Sequence, residues 1–156
     1  MQNIIIRKAS IEDLEYIQKL NNELFELELN NYDDTLIKDW PLSSNGKEYF
    51  KDLINNHYVI VATINNQIIG YLAGSINDKC TYENIQYGEI KNMYITNNYR
   101  GNKIGKRLID EFKKYCKEND INDIIVTASY KNKNAINFYK SNDFEEFNLT
   151  LSSKID

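Results

Sequence analysis

The sequence predicts a mixed α/β fold of the α+β kind, one domain over residues 1–156. Its centre is a mixed, mostly antiparallel sheet of six to seven strands, flanked by about four helices. Three observations lead there. Alternating apolar runs and runs with apolar residues every three to four positions follow one another in the order β, α, α, β, β, β, α, β, α, β. Two strand-like runs, 57–63 and 67–76, are joined at Asn65-Asn66, residues suited to a tight hairpin. Finally, 156 residues with 42% apolar and 27% charged content suit one ordinary core, and no repeat or linker divides them.

Residues 3–8 read as the first strand. Ser10 with Asp13 forms a capping box that opens a helix carrying Ile11, Leu14, Ile17, Leu20, Leu24 and Leu27 at helical spacing. That helix ends around Asn30–Asp34. The stretch 40–46 reads as a loop because Pro41 and Asn45-Gly46 interrupt helices, and a short helix follows at 47–55. After the hairpin and a polar loop at 77–86 comes a strand over 87–96, with Ile90, Asn92 and Tyr94 on one side and Met93 and Ile95 on the other. A helix over 103–118 carries Ile104, Leu108, Ile109, Phe112, Tyr115 and Cys116 on one face. A buried strand at 123–128, a helix at 132–141 and one or two strands within 144–151 complete the chain.

Composition excludes several classes of function. No apolar run approaches the roughly 18 residues of a membrane span, and the N-terminus lacks the pattern of a signal peptide, so a cytoplasmic protein is expected. Cys80 and Cys116 give neither metal spacing nor a disulfide framework, and no metal site is expected. The net charge of −4 hides a polarity. Residues 11–40 hold nine acids against two bases, whereas residues 91–117 hold eight bases against two acids. The basic face of the helix at 103–117 lacks interleaved aromatics, and the chain is acidic overall, which argues against nucleic acid.

The most informative stretch is 89–109. A strand breaks into a basic, glycine-punctuated loop that opens onto a helix, an arrangement that offers backbone N–H groups to a phosphate. It is no Walker A loop, since Gly101 and Gly105 are too close and Lys106 precedes Arg107 rather than Ser or Thr. A second motif, Asn132-Lys133-Asn134-Ala135-Ile136-Asn137-Phe138-Tyr139, sets Asn132 and Tyr139 two helical turns apart on one side.

These two motifs, in this order and each at the right end of its element, resemble the GNAT superfamily of acetyl-CoA-dependent N-acetyltransferases over nearly the whole chain. The resemblance implies the GNAT-type fold. It also implies a pyrophosphate loop at Arg100-Gly101-Asn102-Lys103-Ile104-Gly105, with Lys106 beside it, and a pantetheine-pairing strand at Met93, Tyr94 and Ile95. Asn132 would contact the pantetheine arm, and Tyr139 would sit by the thioester sulfur. Lys103 stands where the family has its inner glycine; only the backbone N–H is needed there, and helical dihedrals suit Lys. Asp143 replaces the glycine of the family's Gly-Phe, at a left-handed turn that Asp tolerates.

The implied chemistry is direct attack of an amine on acetyl-CoA, without a covalent enzyme intermediate. The single histidine, His57, begins an apolar strand and supports no nucleophilic triad. A backbone N–H of Met93–Ile95 would serve the oxyanion. Tyr139, with an ordinary pKa of about 10, is the candidate proton donor to the leaving thiolate. Glu89, on the signature strand, is the candidate base, with Glu83 and the acids at 23–34 behind it. The acidic stretch suits a cationic acceptor: a polyamine, an aminosugar or a basic peptide, with Tyr32 and Trp40 available for cation–π contact. Homodimers are common in the family. The alternative from another class is a non-catalytic acyl-CoA-binding module of the same fold.

Overall fold

The described residues form five strands, two helices on each face of the sheet and an irregular tail. The architecture was described from a computed structural model covering residues 3–156. Strands β1 (Ile4–Lys8), β2 (Tyr58–Ile64), β3 (Gln67–Ile76), β4 (Tyr87–Ile95) and β5 (Asp123–Val126) lie in the order β1-β2-β3-β4-β5. All neighbours are antiparallel except β4 and β5, whose parallel pairing is joined through a helical crossover. The helices are α1 (Leu14–Asn31), α2 (Ser44–Asn56), α3 (Ile104–Glu118) and α4 (Lys133–Lys140).

The two faces of the sheet carry separate cores. Leu14, Ile17 and Leu20 of α1 and Phe50 and Leu53 of α2 meet Val59, Val61, Tyr71 and Ala73 on one face. On the other, Leu108, Ile109, Phe112 and Cys116 of α3 meet Ile60, Ala62, Leu72 and Ile90. Alternation along β2 and β3 assigns these residues to opposite faces, which is why both strands are buried over most of their length.

The capping box forms: Ser10 N–H donates to Asp13 Oδ2 at 2.8 Å, and the turn Ile11–Asp13 leads into α1. Asn65 and Asn66 both take positive φ, 49° and 65°, as a two-residue hairpin requires. Asp143 is left-handed at φ 71°, in keeping with the sequence reading.

Two expectations are corrected. Asn45-Gly46 lies inside the first turn of α2, capped by Ser43, whose Oγ accepts from Gly46 N–H at 3.2 Å. Glycine is needed there for close approach, because a Cβ would come within 2.4 Å of the Trp40 carbonyl oxygen. The six to seven strands become five among the described residues. Residues 145–156 form no strand and leave the outer edge of β5 unpaired; Phe147 leans on Tyr87, ring centroids 5.9 Å apart, and Glu146 pairs with Lys140.

Candidate active site

A single irregularity in β4 organises the centre of the molecule. Against β3, Gly74 pairs with Ile90 but Ala73 pairs with Asn92, so Lys91 is an extra, bulged residue. The bulge resets the alternation. Gly88 and Ile90 face α3, as do Met93 and Ile95, while Asn92 and Tyr94 turn toward α1 and α2. The sequence reading that put Ile90 with Asn92 and Tyr94 is therefore corrected, since an unbroken period of two cannot survive one inserted residue. Glu89 falls on the α1–α2 side, where its charge is felt by the Tyr49 phenol.

The bulge coincides with a fork in the sheet. β5 pairs with β4 only from Tyr87 to Ile90, whereas β3 stays paired through Ile95. From Lys91 onward, no strand pairs with the second edge of β4, which runs along Met93, Tyr94 and Ile95. At the far end of that edge the chain turns through Thr96 to Lys103 into α3. Arg100 is drawn back over the strand: its Nε donates to the Ile95 carbonyl at 2.9 Å, and its guanidinium lies 5.1 Å from the Tyr94 ring centroid.

The loop's backbone is unspent. Six consecutive N–H groups, Gly101 to Lys106, have no acceptor among the described residues; the first helical bond is Arg107 N–H to the Lys103 carbonyl. Gly101 has φ 83° with open space around its Cα. Lys103 has φ 61° and ψ 15°, which corrects the expectation of helical dihedrals. The turn reverses just before α3, so this position takes the left-handed conformation that glycine adopts most easily. Gly105 answers a packing need, since a Cβ there would meet the Phe138 ring at 2.7 Å. Lys106 pairs with Asp110 at 2.7 Å, and Asn102 Nδ2 bonds the Tyr99 carbonyl.

α4 lies on the α3 side of the sheet, its Phe138 ring against Gly105 at the start of α3. Asn132 caps it, its Oδ1 accepting from Ala135 N–H at 3.1 Å, and its Nδ2 has no acceptor among the described residues. Tyr139, half-buried two turns on, packs edge-on against Phe138 and Phe144. Burial, reinforced by the charge of Glu28, pushes the Tyr139 pKa far above its usual value, so the phenol stays protonated at neutral pH.

Beneath β4 runs a polar chain that the sequence reading missed. Asn21 Nδ2 donates to the Tyr71 hydroxyl at 2.8 Å, Tyr71 donates to Asn92 Oδ1 at 2.6 Å, and Asn92 Nδ2 reaches the Tyr49 hydroxyl at 3.3 Å. The only available signal was polar Gln18, Asn21 and Asn22 lying within the buried face of α1. Of the acids in 11–40, Asp13 is spent on Arg7 at 2.8 Å and Asp39 accepts from Asn22 at 3.3 Å. Glu28 is half-buried without an ion pair among the described residues, and burial, then Asp33, raises its pKa. Trp40 stacks on Phe25 and meets Tyr49 edge-on.

Residues 14–144 match the family model described as Acetyltransferase (GNAT) family. The chain belongs to the GNAT family. It is 28% identical over 140 residues to an uncharacterized N-acetyltransferase of Archaeoglobus fulgidus, an alignment that covers 88% of this chain and 90% of the relative. Among solved structures, a predicted acetyltransferase of Clostridium acetobutylicum with acetyl-CoA is 26% identical. That match has a TM-score of 0.76 and covers 97% of this chain and 96% of the other. The aminoglycoside N-acetyltransferase AAC(6')-Iy in complex with CoA shares the fold, with a TM-score of 0.77 and 15% identity over 99% of this chain and 96% of that one.

With the family settled, the site residues fall into two groups. The free β4 edge and the Gly101–Lys106 backbone follow one another along the chain, and Phe138 and Tyr139 of α4 pack on the same side of the sheet as α3. Glu89 lies across the sheet from α3, at the base of the bulge. Its Oε1 accepts from Lys91 at 2.7 Å and Asn77 at 3.3 Å, while Oε2 has no donor among the described residues. No group of three or more His, Cys, Asp or Glu that could hold a metal occurs among the described residues. No described helix is long and apolar enough to cross a membrane.

Proposed function

We propose that this protein transfers the acetyl group of acetyl-CoA to a primary amine of a small cationic molecule or peptide, by direct attack. The observation that carries the reading is the fork itself. A β4 edge without a strand partner from Lys91 to Ile95 leads to six free N–H groups at the start of α3, with the protonated Tyr139 on α4. The Gly101–Lys106 N–H groups and the helix dipole suit the pyrophosphate, with Arg100 supplying charge. Met93, Tyr94 and Ile95 offer strand-like pairing to the pantetheine amides, and one of their N–H groups would stabilise the carbonyl oxygen as it becomes negative. Asn132 Nδ2 is the remaining donor to the pantetheine arm.

In this reading the acceptor ammonium gives a proton to Glu89 Oε2, directly or through water. The amine nitrogen then bonds to the carbonyl carbon, and the carbon–sulfur bond breaks. Tyr139 protonates the departing sulfur, and its phenolate recovers a proton from the amide nitrogen as that nitrogen is acylated. The products are the N-acetyl amine, CoA thiol and one proton.

Thermal shift with acetyl-CoA, followed by thiol release against a panel of amines and N-terminal peptides, tests the proposal. The expected outcome is stabilisation by acetyl-CoA and turnover of cationic amines, with Glu89→Gln reducing kcat about 100-fold, as loss of a general base does. No stabilisation by acetyl-CoA would sink the assignment.

A further inference from the structure

A groove of about 270 Å³ opens on the α2 side of the bulge, lined by Tyr49, Asp52, Leu53 and His57 of α2 and its C-cap, Ser75 to Asp78 at the end of β3, and Lys91. It abuts the reaction centre proposed above. Lys91 is the residue at which β4 leaves β5, and Lys91 and Asn77 are the two groups that hold Glu89 Oε1.

The lining has a definite polarity. Leu53 and Ile76 are apolar, and Tyr49 offers a hydroxyl whose oxygen already accepts from Asn92, leaving its proton to donate. Asp52 and Asp78 are the acids of the rim, and Lys91 is committed to Glu89. Asp52 is 58% exposed; its Oδ1 accepts from Asn56 Nδ2 at 2.7 Å, and its Oδ2 lies 3.5 Å from His57 Nε2. The groove is just under the ~300–1,000 Å³ of a drug-sized ligand site, so it fits a short chain. An apolar stem can lie over Leu53 and Ile76 and end in a positive charge at the aspartates, away from Lys91, whose charge is taken by Glu89.

We propose that this groove binds the distal ammonium and alkyl stem of a diamine-type acceptor whose other nitrogen is acetylated beside Glu89. The inference rests on the acetyl-transfer reading and adds the acceptor class to it. Selectivity for a second positive charge then comes from α2 and the end of β3, rather than from the acidic helix α1.

The test compares 1,4-diaminobutane with 4-amino-1-butanol, which replaces the second ammonium with a hydroxyl at equal length. Wild type is expected to favour the diamine about tenfold in kcat/KM, the scale of a few partly exposed charge contacts. The double variant Asp52→Asn, Asp78→Asn should erase that preference without changing KM for acetyl-CoA. A preference absent from wild type, or retained in the double variant, overturns the proposal. If acetyl-CoA binds but no amine turns over, the acetyl-transfer reading fails, and calorimetric titration of 1,4-diaminobutane into CoA-loaded protein still reads the groove. Binding that is lost in the double variant supports the groove as an ammonium site. Equal or absent heats overturn it.

Discussion

The hydroxyl of Tyr71 donates a 2.6 Å hydrogen bond to Asn92 Oδ1, the first side chain of β4 after the bulge. Tyr71 is fully buried in the middle of β3, and Asn21 of α1 donates to the Tyr71 hydroxyl oxygen. Three elements thus fix the strand segment whose free edge faces the fork. Tyr71→Phe leaves Asn21 Nδ2 and Asn92 Oδ1 unpaired and should cost about 2 kcal/mol, the scale of a buried group losing its partner. Chemical denaturation checks the stability. The expected fall in kcat exceeds any rise in the acetyl-CoA KM, because Asn92 borders the reacting end of the β4 edge.

Tyr139 is the proton donor of the proposed reaction; burial keeps its phenol protonated and also makes it a weaker acid than a free tyrosine. Tyr139→Phe should lower kcat about 100-fold with acetyl-CoA affinity nearly unchanged, since the ring still packs on Phe138 and Phe144. Steady-state kinetics beside an acetyl-CoA binding isotherm separates the two quantities. An unchanged kcat would remove Tyr139 from the mechanism.

Lys103 holds a left-handed conformation at the entrance to α3. Lys103→Gly should stabilise the protein by about 1 kcal/mol, the relief of a positive φ less the extra entropy of glycine in the unfolded chain. Thermal unfolding would show this as a rise of about 2–4 °C in Tm. The Lys103 N–H keeps its place, so acetyl-CoA affinity should fall only by the contribution of one exposed charge. A loss of stability would mean that the Lys103 side chain contributes more than its backbone geometry costs.

Asp13 titrates below its ordinary value of 3.8, chiefly because the Arg7 guanidinium hydrogen-bonds its charged form, with the Ser10 N–H and the Arg7 charge adding to this against a burial cost. A depressed folded-state pKa gives stability that is fully present above the unfolded value and is lost as pH falls through the folded one. Asp13→Asn should therefore lower Tm at pH 7, and the gap to wild type should close as pH drops below about 3.8. A Tm gap that is equal at pH 7 and pH 3 would show that the Asp13 charge is not the stabilising feature.

By itself the sequence determined what depends on near neighbours: the helix stripes, the Asn65-Asn66 hairpin, the Ser10–Asp13 cap, and the loop-to-helix junction that identified the family. Periodicity and turn chemistry are local and survive without knowledge of partners. Tertiary structure alone decided where pairing with another element intervenes. The bulge at Lys91 exists only in register with β3, and it moved Asn92 and Tyr94 to the α1–α2 face. The residues at 145–156 alternate as a strand would, yet they form none, because a strand is defined by the edge it pairs with. The buried chain Asn21–Tyr71–Asn92–Tyr49 joins residues 50, 21 and 43 positions apart. Its members look ordinary one at a time, and only the packing of α1 and α2 on the sheet brings their polar atoms within hydrogen-bonding distance.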